Sequence, residues 1–472
     1  MRFTTYLGDR PFWQNALRLA IPVAIQNMLT SSFQLIDTLM VGQMGDLTLS
    51  SVGMAGQWSW LLGMILFGTC SGMSVVGSQY WGVKDLKGIH RVFGIALLFC
   101  LGVSGIFLAV AIAQPYWVIG LFNEDPDVLR VGVSYLKIAC WSYPALALTN
   151  VFSMLLRTAE RVTVTMYISA FSTLSNALLN YILIFGKLGL PALGAQGAAI
   201  ATVISAWLSP LLIWLVSYRQ KNELIAPLSD LLGFRGKDLI LFFQKAAPVI
   251  FNETMWGLGI VVQNTIFSNL GYEYYAAVSI QSTFMDIAFA FFVGLCNACI
   301  IMVGKSVGQG NIRQAVLDSR RFFLLIPLTS LSITLITVLF RDQLIYLFNL
   351  QGTISALTLT TARQILLMRS FEFPLQMACY SLVVGVYRGG GNTLIAMIVE
   401  LLCLWAVSIP ITWLSANVLH LSFVLVFFFA KLAEDLPKLI FMAINYFQDR
   451  WLKPVTNAGI EGLKHYREET GT

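Results

Sequence analysis

Residues 17–27, Leu-Arg-Leu-Ala-Ile-Pro-Val-Ala-Ile-Gln-Asn, superimpose without a gap on residues 243–253, Phe-Gln-Lys-Ala-Ala-Pro-Val-Ile-Phe-Asn-Glu, when the chain is slid on itself by 226 residues. The match continues for about sixty residues, bringing Ala20 onto Ala246, Pro22 onto Pro248, Val23 onto Val249, Gly45 onto Gly271, Val52 onto Val278, Gly68 onto Gly294 and Gly82 onto Gly308. A shift of 230 to 231 brings Pro144 onto Pro374 and Arg157 onto Arg388, so the repeat covers each half of the chain. Apolar sequences align spuriously, but coincident prolines and glycines at one offset are harder to produce by chance. A repeat of this length sets the whole architecture.

Working outward from the repeat, the 472 residues are 57% hydrophobic and only 11% charged, too few charges to cover a water-soluble fold. Hydropathy and the breaks at Gly, Pro and charge clusters mark twelve spans, at 16–38, 50–75, 92–113, 132–156, 163–185, 195–217, 241–268, 275–303, 322–340, 363–387, 394–415 and 421–446. Backbone groups in lipid must bond within their own segment, so the spans are predicted as helices of an all-α polytopic membrane protein. Six spans per repeat insert the two halves with the same orientation, related by an axis along the membrane normal. The expected organisation is therefore an N-terminal six-helix lobe at 1–217, a polar linker at 218–238, a C-terminal six-helix lobe at 239–446 and a tail at 447–472, with a cavity between the lobes. The first hydrophobic segment reads as a span and not as a cleavable signal.

Alternating the connections puts both termini with loops carrying Lys84, Lys87 and Arg91; Arg157 and Arg161; Arg219, Lys221, Arg235 and Lys237; Lys305, Arg313, Arg320 and Arg321; and Arg388. The other side holds Arg130, Lys137, Lys187, Arg341, Arg363 and Arg369, with an acidic stretch at 123–127. The positive-inside rule makes the basic side cytoplasmic. Topology thus accounts for the net charge of +6, and nucleic acid is not an expected partner. The seven cysteines lie in or beside apolar runs and read as small buried side chains; Cys296 and Cys299 form a CxxC without a second pair or a nearby histidine. Three histidines, no zinc spacing and no phosphate loop argue against an enzyme.

A carboxylate at bilayer depth costs roughly 2.5–3.5 kcal/mol, so each one calls for a role. Asp37 is the clearest, with Thr30 and Gln34 at i−7 and i−3 forming a polar face on an apolar helix. Pro22, about four turns earlier, frees a backbone carbonyl and lets that helix bend. Protonation or cation binding at Asp37 changes the local charge by one unit and can bias two helix conformations. Glu253 occupies the repeat position of Asn27 in the seventh span, where a neutral acid would serve as a proton carrier or a dock for a substrate cation. Asp286 and Glu400 also lie at membrane depth, whereas Glu372 reads as solvated near the outer end of the tenth span. Glu434 with Lys438, and Lys431 with Asp435, sit at i, i+4 and read as internal ion pairs. Trp58, Trp60, Met255, Trp256, Phe284 and Met285, with the polar Gln281, are candidate cavity residues for flat organic cations.

Four stretches in register with the repeat resemble the multidrug and toxic compound extrusion (MATE) transporters. They are Pro22 with Asp37-Thr38-Leu39-Met40-Val41-Gly42; Ser78-Gln79-Tyr80-Trp81-Gly82 with Asp85; residues 188–205, LGLPALGAQGAAIATVIS; and Arg388-Gly389-Gly390-Gly391-Asn392-Thr393. Residues 252–259, NETMWGLG, and Glu400 look most like a bacterial branch of that family. The resemblance implies a V-shaped pair of six-helix bundles, alternating access, and export of amphipathic, often cationic compounds in exchange for sodium ions or protons. It implies a cation-coupling site of Asp37 with Asn176 and Asn180 in the first lobe, and Glu253 as the coupling residue of the second, with Glu400 nearby. The position of Asn180 is often an Asp in the family; a single carboxylate leaves sodium held by Asp37 and amide oxygens as one option. The resemblance further implies a monomer with no resident cofactor. A lipid or lipid-linked oligosaccharide flippase of the same superfamily is the closest rival, and a channel a third class disfavoured by the two-lobe repeat.

Overall fold

The computed structural model describes residues 8–42, 44, 46–122, 126–220, 228–348 and 355–470. The first half of the chain runs through α1 (Arg10–Gly42), α2 (Asp46–Gly82), α3 (Leu86–Ala113), α4 (Pro115–Gly120), α5 (Pro126–Ala139), α6 (Tyr143–Thr158), α7 (Val162–Phe185) and α8 (Ala195–Arg219). After the short α9 (Leu228–Leu231), the second half runs through α10 (Gly236–Asn269), α11 (Tyr272–Gly308), α12 (Ile312–Phe348), α13 (Ala356–Tyr380), α14 (Arg388–Gly390), α15 (Thr393–Leu401), α16 (Ile409–Asn417) and α17 (Phe423–Phe447). A final helix, α18 (Asn457–Thr470), forms within the stretch read as a tail. Each of the twelve predicted spans falls on helix. The acidic stretch at 123–125 and the linker residues 221–227, including Lys221, lie outside the described residues.

Three spans are broken in ways the hydropathy did not reveal. The fourth changes from α5 to α6 through a 3-10 turn, Cys140–Ser142, just before Pro144. The tenth continues from α13 as a π-helical turn, Ser381–Tyr387, about two turns beyond Pro374, and the eleventh is interrupted by a second, Leu402–Ser408. A proline withdraws one backbone donor, and π turns absorb the resulting mismatch, often beside functional groups. Lipid-facing surfaces are plain: α7 exposes Tyr167, Phe171, Leu174 and Leu178 at helical spacing. Eight described stretches are long and apolar enough to cross a membrane by themselves. Helices α1, α10, α13 and α17 are not among them, and they carry Gln26, Asn27, Asp37, Asn252, Glu253, Arg369, Glu372 and the charged run from Lys431 to Lys438.

The chain packs as two compact units, one of residues 25–77 and 84–250, the other of residues 1–24, 78–83 and 251–472. The repeat is written into the contacts of each. In the first unit, a Cβ on Gly68 would meet the Ile250 backbone at 2.7 Å, and one on Gly72 would meet Ala246 at 2.5 Å. In the second unit, a Cβ on Gly294 would meet the Ala20 carbonyl at 2.5 Å and the Ala24 nitrogen at 3.0 Å. Gly68 and Ile250 are the repeat counterparts of Gly294 and Ala24, so one glycine crossing is built twice. Helices in lipid gain nothing from burying apolar surface against each other and associate through such close backbone approach.

A third close approach joins the ends of α2 and α11, where Cβ atoms on the counterparts Gly82 and Gly308 would meet the Lys305 carbonyl at 2.3 Å and the Gln79 carbonyl at 2.1 Å. Gly308→Val is therefore expected to cost about 1–3 kcal/mol or more through overpacking against backbone. Gly63→Val, with nothing within 4 Å of its Cβ, should be tolerated. Thermal melts of the two variants followed by size-exclusion fluorescence separate them, and equal melting points would contradict the crossing.

The start of α1 is held by Asp9, whose side chain accepts the Phe12 N–H at 3.1 Å and lies 3.3 Å from Arg321. The Phe12 N–H, with the Arg321 charge behind it, holds the Asp9 carboxyl below its ordinary 3.8. A depressed carboxylate stabilises the fold above its unfolded pKa and loses that contribution as pH falls through the folded value. The protection factor of the Phe12 amide, its exchange relative to an unfolded amide at the same pH, should thus be high at neutral pH and fall below pH 3.8, whereas Asp9→Ala should lower it at neutral pH. The Asp85 of the second motif plays the same capping part at α3, accepting the Gly88 N–H at 2.9 Å.

Candidate functional site

In the first unit the polar face predicted around Asp37 meets α7. Asn180, fully buried, donates its Nδ2 to Asp37 Oδ1 in a short hydrogen bond and lies 3.3 Å from Asn176 Oδ1. Asn176 donates to Ser205 Oγ at 3.0 Å, and Ser205 donates to the Ala201 carbonyl at 2.7 Å. The line Ser205–Asn176–Asn180–Asp37 thus ties α1, α7 and α8 together. The close fit of α7 on α8 requires Gly197, whose Cβ would meet the Leu183 carbonyl at 2.5 Å. That glycine belongs to the 188–205 motif, which explains what the motif does here.

An ionised carboxylate only accepts hydrogen bonds, so Asp37 fixes which way the Asn180 amide points. The Asn180 Oδ1 is left buried without a hydrogen-bond partner among the described residues. A buried carbonyl oxygen beside a carboxylate is costly unless something positive satisfies it. Tyr135, which sequence reasoning did not single out, stands against Thr202 and close enough to Asp37 to feel its charge. Thr30 is exposed and donates its hydroxyl to the Gln26 carbonyl of its own helix at 2.9 Å. The Gln34 side chain lies outside the described residues.

The second unit contains a buried network of charge. Glu253 lies 2.5 Å from Arg388, whose side chain is 2% exposed against 12% for the acid. Arg388 had read as a loop cation; the π turn Ser381–Tyr387 instead carries the chain past the end of α13 so that the guanidinium turns inward. Glu253, expected as a proton carrier or a dock for a substrate cation, is thus paired with the chain's own Arg388. The first unit holds the repeat counterpart, with Arg157 donating to Gln26 Oε1 at 2.7 Å and Gln26 donating to Ser169 at 2.7 Å. Where the second half has an ion pair, the first has an arginine on an amide.

Glu400 accepts the Asn252 Nδ2 at 2.6 Å and stands 3.9 Å from Lys438. Lys438 also reaches Asp435 at 3.1 Å and Glu434 at 3.4 Å, while Lys431 meets Glu434 at 3.8 Å and the Gln263 Oε1 at 3.1 Å. The pairing of Glu434 with Lys438 is as expected, but Asp435 is taken by Lys438 in place of Lys431. Glu372, read as solvated, is buried on Arg369, itself expected in an outer loop. Among the described residues no cluster of three or more His, Cys, Asp or Glu could hold a metal ion. The seven cysteines are buried and unbridged.

The cavity candidates are distributed over both units. Met255 and Trp256 lie half-buried on α10, with the Met255 carbonyl accepting the Trp405 indole at 3.2 Å. On α11, Gln281 is buried, Phe284 is half-buried, and Asp286 is exposed within range of the Arg369 charge. Pro22 is buried inside an unbroken α1. Asn252, Gln263 and Arg369 were missed as members of the charged network. Only Arg388 had left a signal, its alignment with Arg157 in the repeat.

The MatE family model matches residues 22–182 and 248–414. The chain is 24% identical over 408 residues to the probable multidrug resistance protein NorM of Thermotoga maritima, covering 86% of each protein. It is 25% identical over 417 residues to the multidrug resistance protein MdtK of Edwardsiella ictaluri, covering 86% of this chain and 88% of that one. Its fold matches an outward-facing multidrug resistance MATE family transporter of the MOP superfamily with a TM-score of 0.83 at 16% identity, over 96% of this chain and 98% of the other.

Proposed function

The chain belongs to the MatE family, the multidrug and toxic compound extrusion transporters, and from that premise we propose that it exports small, amphipathic, often cationic organic compounds in exchange for sodium ions or protons by alternating access. The observation that carries this reading is the Asp37–Asn180 pair. A carboxylate with a buried amide oxygen beside it lacking a partner among the described residues is an oxygen-rich seat for a hard monovalent cation, or for a proton on Asp37. Asn176, Thr202 and Tyr135 supply further oxygens close by. Taking up a cation there removes one unit of negative charge between α1 and α7, and two helix packings that differ in that charge are then biased by the ion gradient. Glu253 and Glu400 would couple in the second half through their cationic partners, Arg388 and Lys438. In this reading the repeat halves act as two lobes, both termini are cytoplasmic in a bacterial cell membrane, and the chain works as a monomer among lipids, without nucleic acid or a resident cofactor. Thr30 in the first unit, and Met255, Trp256, Gln281, Phe284 and Asp286 in the second, are the proposed substrate-contacting residues, with Pro22 as the bending point.

A lipid or lipid-linked oligosaccharide flippase is kept as the second reading because Arg369, Arg388, Lys431 and Lys438 place four cations inside the second unit. Five carboxylates, Glu253, Glu372, Glu400, Glu434 and Asp435, outnumber them, which favours a cationic cargo. The test is uptake of a fluorescent organic cation by liposomes holding the purified protein under a sodium gradient or a pH gradient imposed separately. Dye movement that follows one gradient names the coupling ion. If neither gradient moves dye while a labelled phospholipid crosses the bilayer, the flippase reading replaces the first.

A further inference from the structure

Residues 449–456 are stitched to the ends of the helices above them. Gln79, from the Ser78–Gly82 motif, accepts the Val455 N–H at 2.8 Å, Thr456 donates to the Gly308 carbonyl at 2.7 Å, and Lys453 N–H donates to the Gly390 carbonyl at 2.8 Å. Asn392 donates to the Arg450 carbonyl at 2.6 Å. Trp451 is fully buried, and a Cβ on Gly390 would lie 2.4 Å from its ring, which accounts for a glycine in that motif. The segment is thereby held open beneath the first turn of α15, and α18 closes the far side.

Between them lies a cavity of about 430 Å³ that opens to the surface. Its polar wall is Arg450, Lys453 and Arg467 with Asn392, and none of its lining residues is acidic. Its apolar wall includes Ile395, Leu452, Ile460 and Leu463. Ile460, Leu463 and Arg467 recur at i, i+3 and i+7, so one face of α18 supplies both apolar and cationic lining. Above the cavity, α15 turns Leu394 and Ile398 outward, each more than two-fifths exposed, and the apolar wall therefore runs on into a lipid-facing surface. Volume in this range suits a bound small molecule or headgroup.

We propose that this cavity binds the phosphate headgroup of an anionic phospholipid, with Arg450, Lys453 and Arg467 around the phosphate and the glycerol and first acyl carbons against Ile395, Ile460 and Leu463. The placement rests on the topology proposed above, which puts this end of the helices at the cytoplasmic leaflet. A basic pocket there, joined to a lipid-facing helix, is the physical recipe for headgroup recognition. A soluble phosphate ester would use the cations but not the apolar wall. Bound lipid would fasten α18 to α15 and so steady the docked segment that Gln79 and Gly308 hold.

The experiment is native mass spectrometry of the full-length protein released from mixed phosphatidylglycerol and phosphatidylcholine micelles, read as lipid adducts and not as transport, so its failure is distinct from failure of the transporter assignment. Wild type should retain phosphatidylglycerol in preference to phosphatidylcholine. The pair Lys453→Gln with Arg467→Gln should weaken retention about 25-fold, at roughly a factor of five for each surface cation removed, while Lys464→Gln, on another face of α18, should leave it unchanged. If the pair fails to fold, Leu463→Asp keeps the cations and should lose the lipid preference alone. Equal retention of the two lipids by wild type, an effect of Lys464→Gln equal to that of the pair, or displacement of the lipid by millimolar glycerol phosphate would each overturn the proposal.

Discussion

Arg388→Gln is expected to lower the stability of the protein by about 3–5 kcal/mol, because it leaves Glu253 inside the second unit with its charge uncompensated. The pair is 2.5 Å long and the guanidinium is 2% exposed, so water cannot replace the lost partner. Removing both charges should cost much less than removing one, since an apolar or neutral pair of similar shape replaces a buried ion pair almost without penalty. The double variant Arg388→Gln with Glu253→Gln should therefore recover most of the melting temperature, and the coupling energy from the cycle should reach 2 kcal/mol or so. A double variant no more stable than Arg388→Gln alone would mean that Glu253 is not what the arginine balances. Arg157→Gln, the counterpart resting on the neutral Gln26, should cost less, about 1–3 kcal/mol, as no charge is stranded on its partner.

The second large effect is on coupling. Asp37→Asn should leave the fold intact, since an amide can still bond Asn180, yet weaken the binding of the coupling ion by roughly 10- to 100-fold, a charge-assisted contact contributing about 1.5–3 kcal/mol. Gradient-driven dye movement in liposomes should fall to the rate seen without a gradient, while substrate binding to the detergent-solubilised protein should persist. Asn180→Leu should give the same loss by removing the amide oxygen, whereas Asn180→Asp places a second carboxylate beside the first. Two acids in contact share one proton readily, so that variant should shift the driving ion toward protons. Full sodium- or proton-driven transport by Asp37→Asn would move the coupling site to the second unit.

The crossing glycines, the arginines and the tail show how far sequence reading reaches and where it stops. The arginine at 388 was legible as a repeat counterpart of Arg157 but not as buried, because a cation at the end of a span looks the same whether it turns to water or to an acid from another helix. The same limit hid Arg369 on Glu372. Lys438 was seen beside Glu434 one turn away, but its contact with Glu400 comes from a helix distant in sequence. Residues 447–472 read only as a tail; their docking depends on carbonyls of Gly308 and Gly390 that only the folded chain brings within reach.

By itself the sequence determined that this is a twelve-span helical membrane protein built from a repeat, and it singled out Asp37, to which the family resemblance added Asn176 and Asn180. Those properties are local or periodic: hydropathy over some twenty residues, prolines and glycines at one offset, and an acid where lipid forbids one. Tertiary structure alone decided which charges neutralise one another, where the helices pass from α to π, and which glycines face backbone. Many of these contacts join different helices, as Glu253 with Arg388 and Gly68 with Ile250 do, and electrostatic and packing energies at a few ångströms are set by such distances and not by the order of residues along the chain.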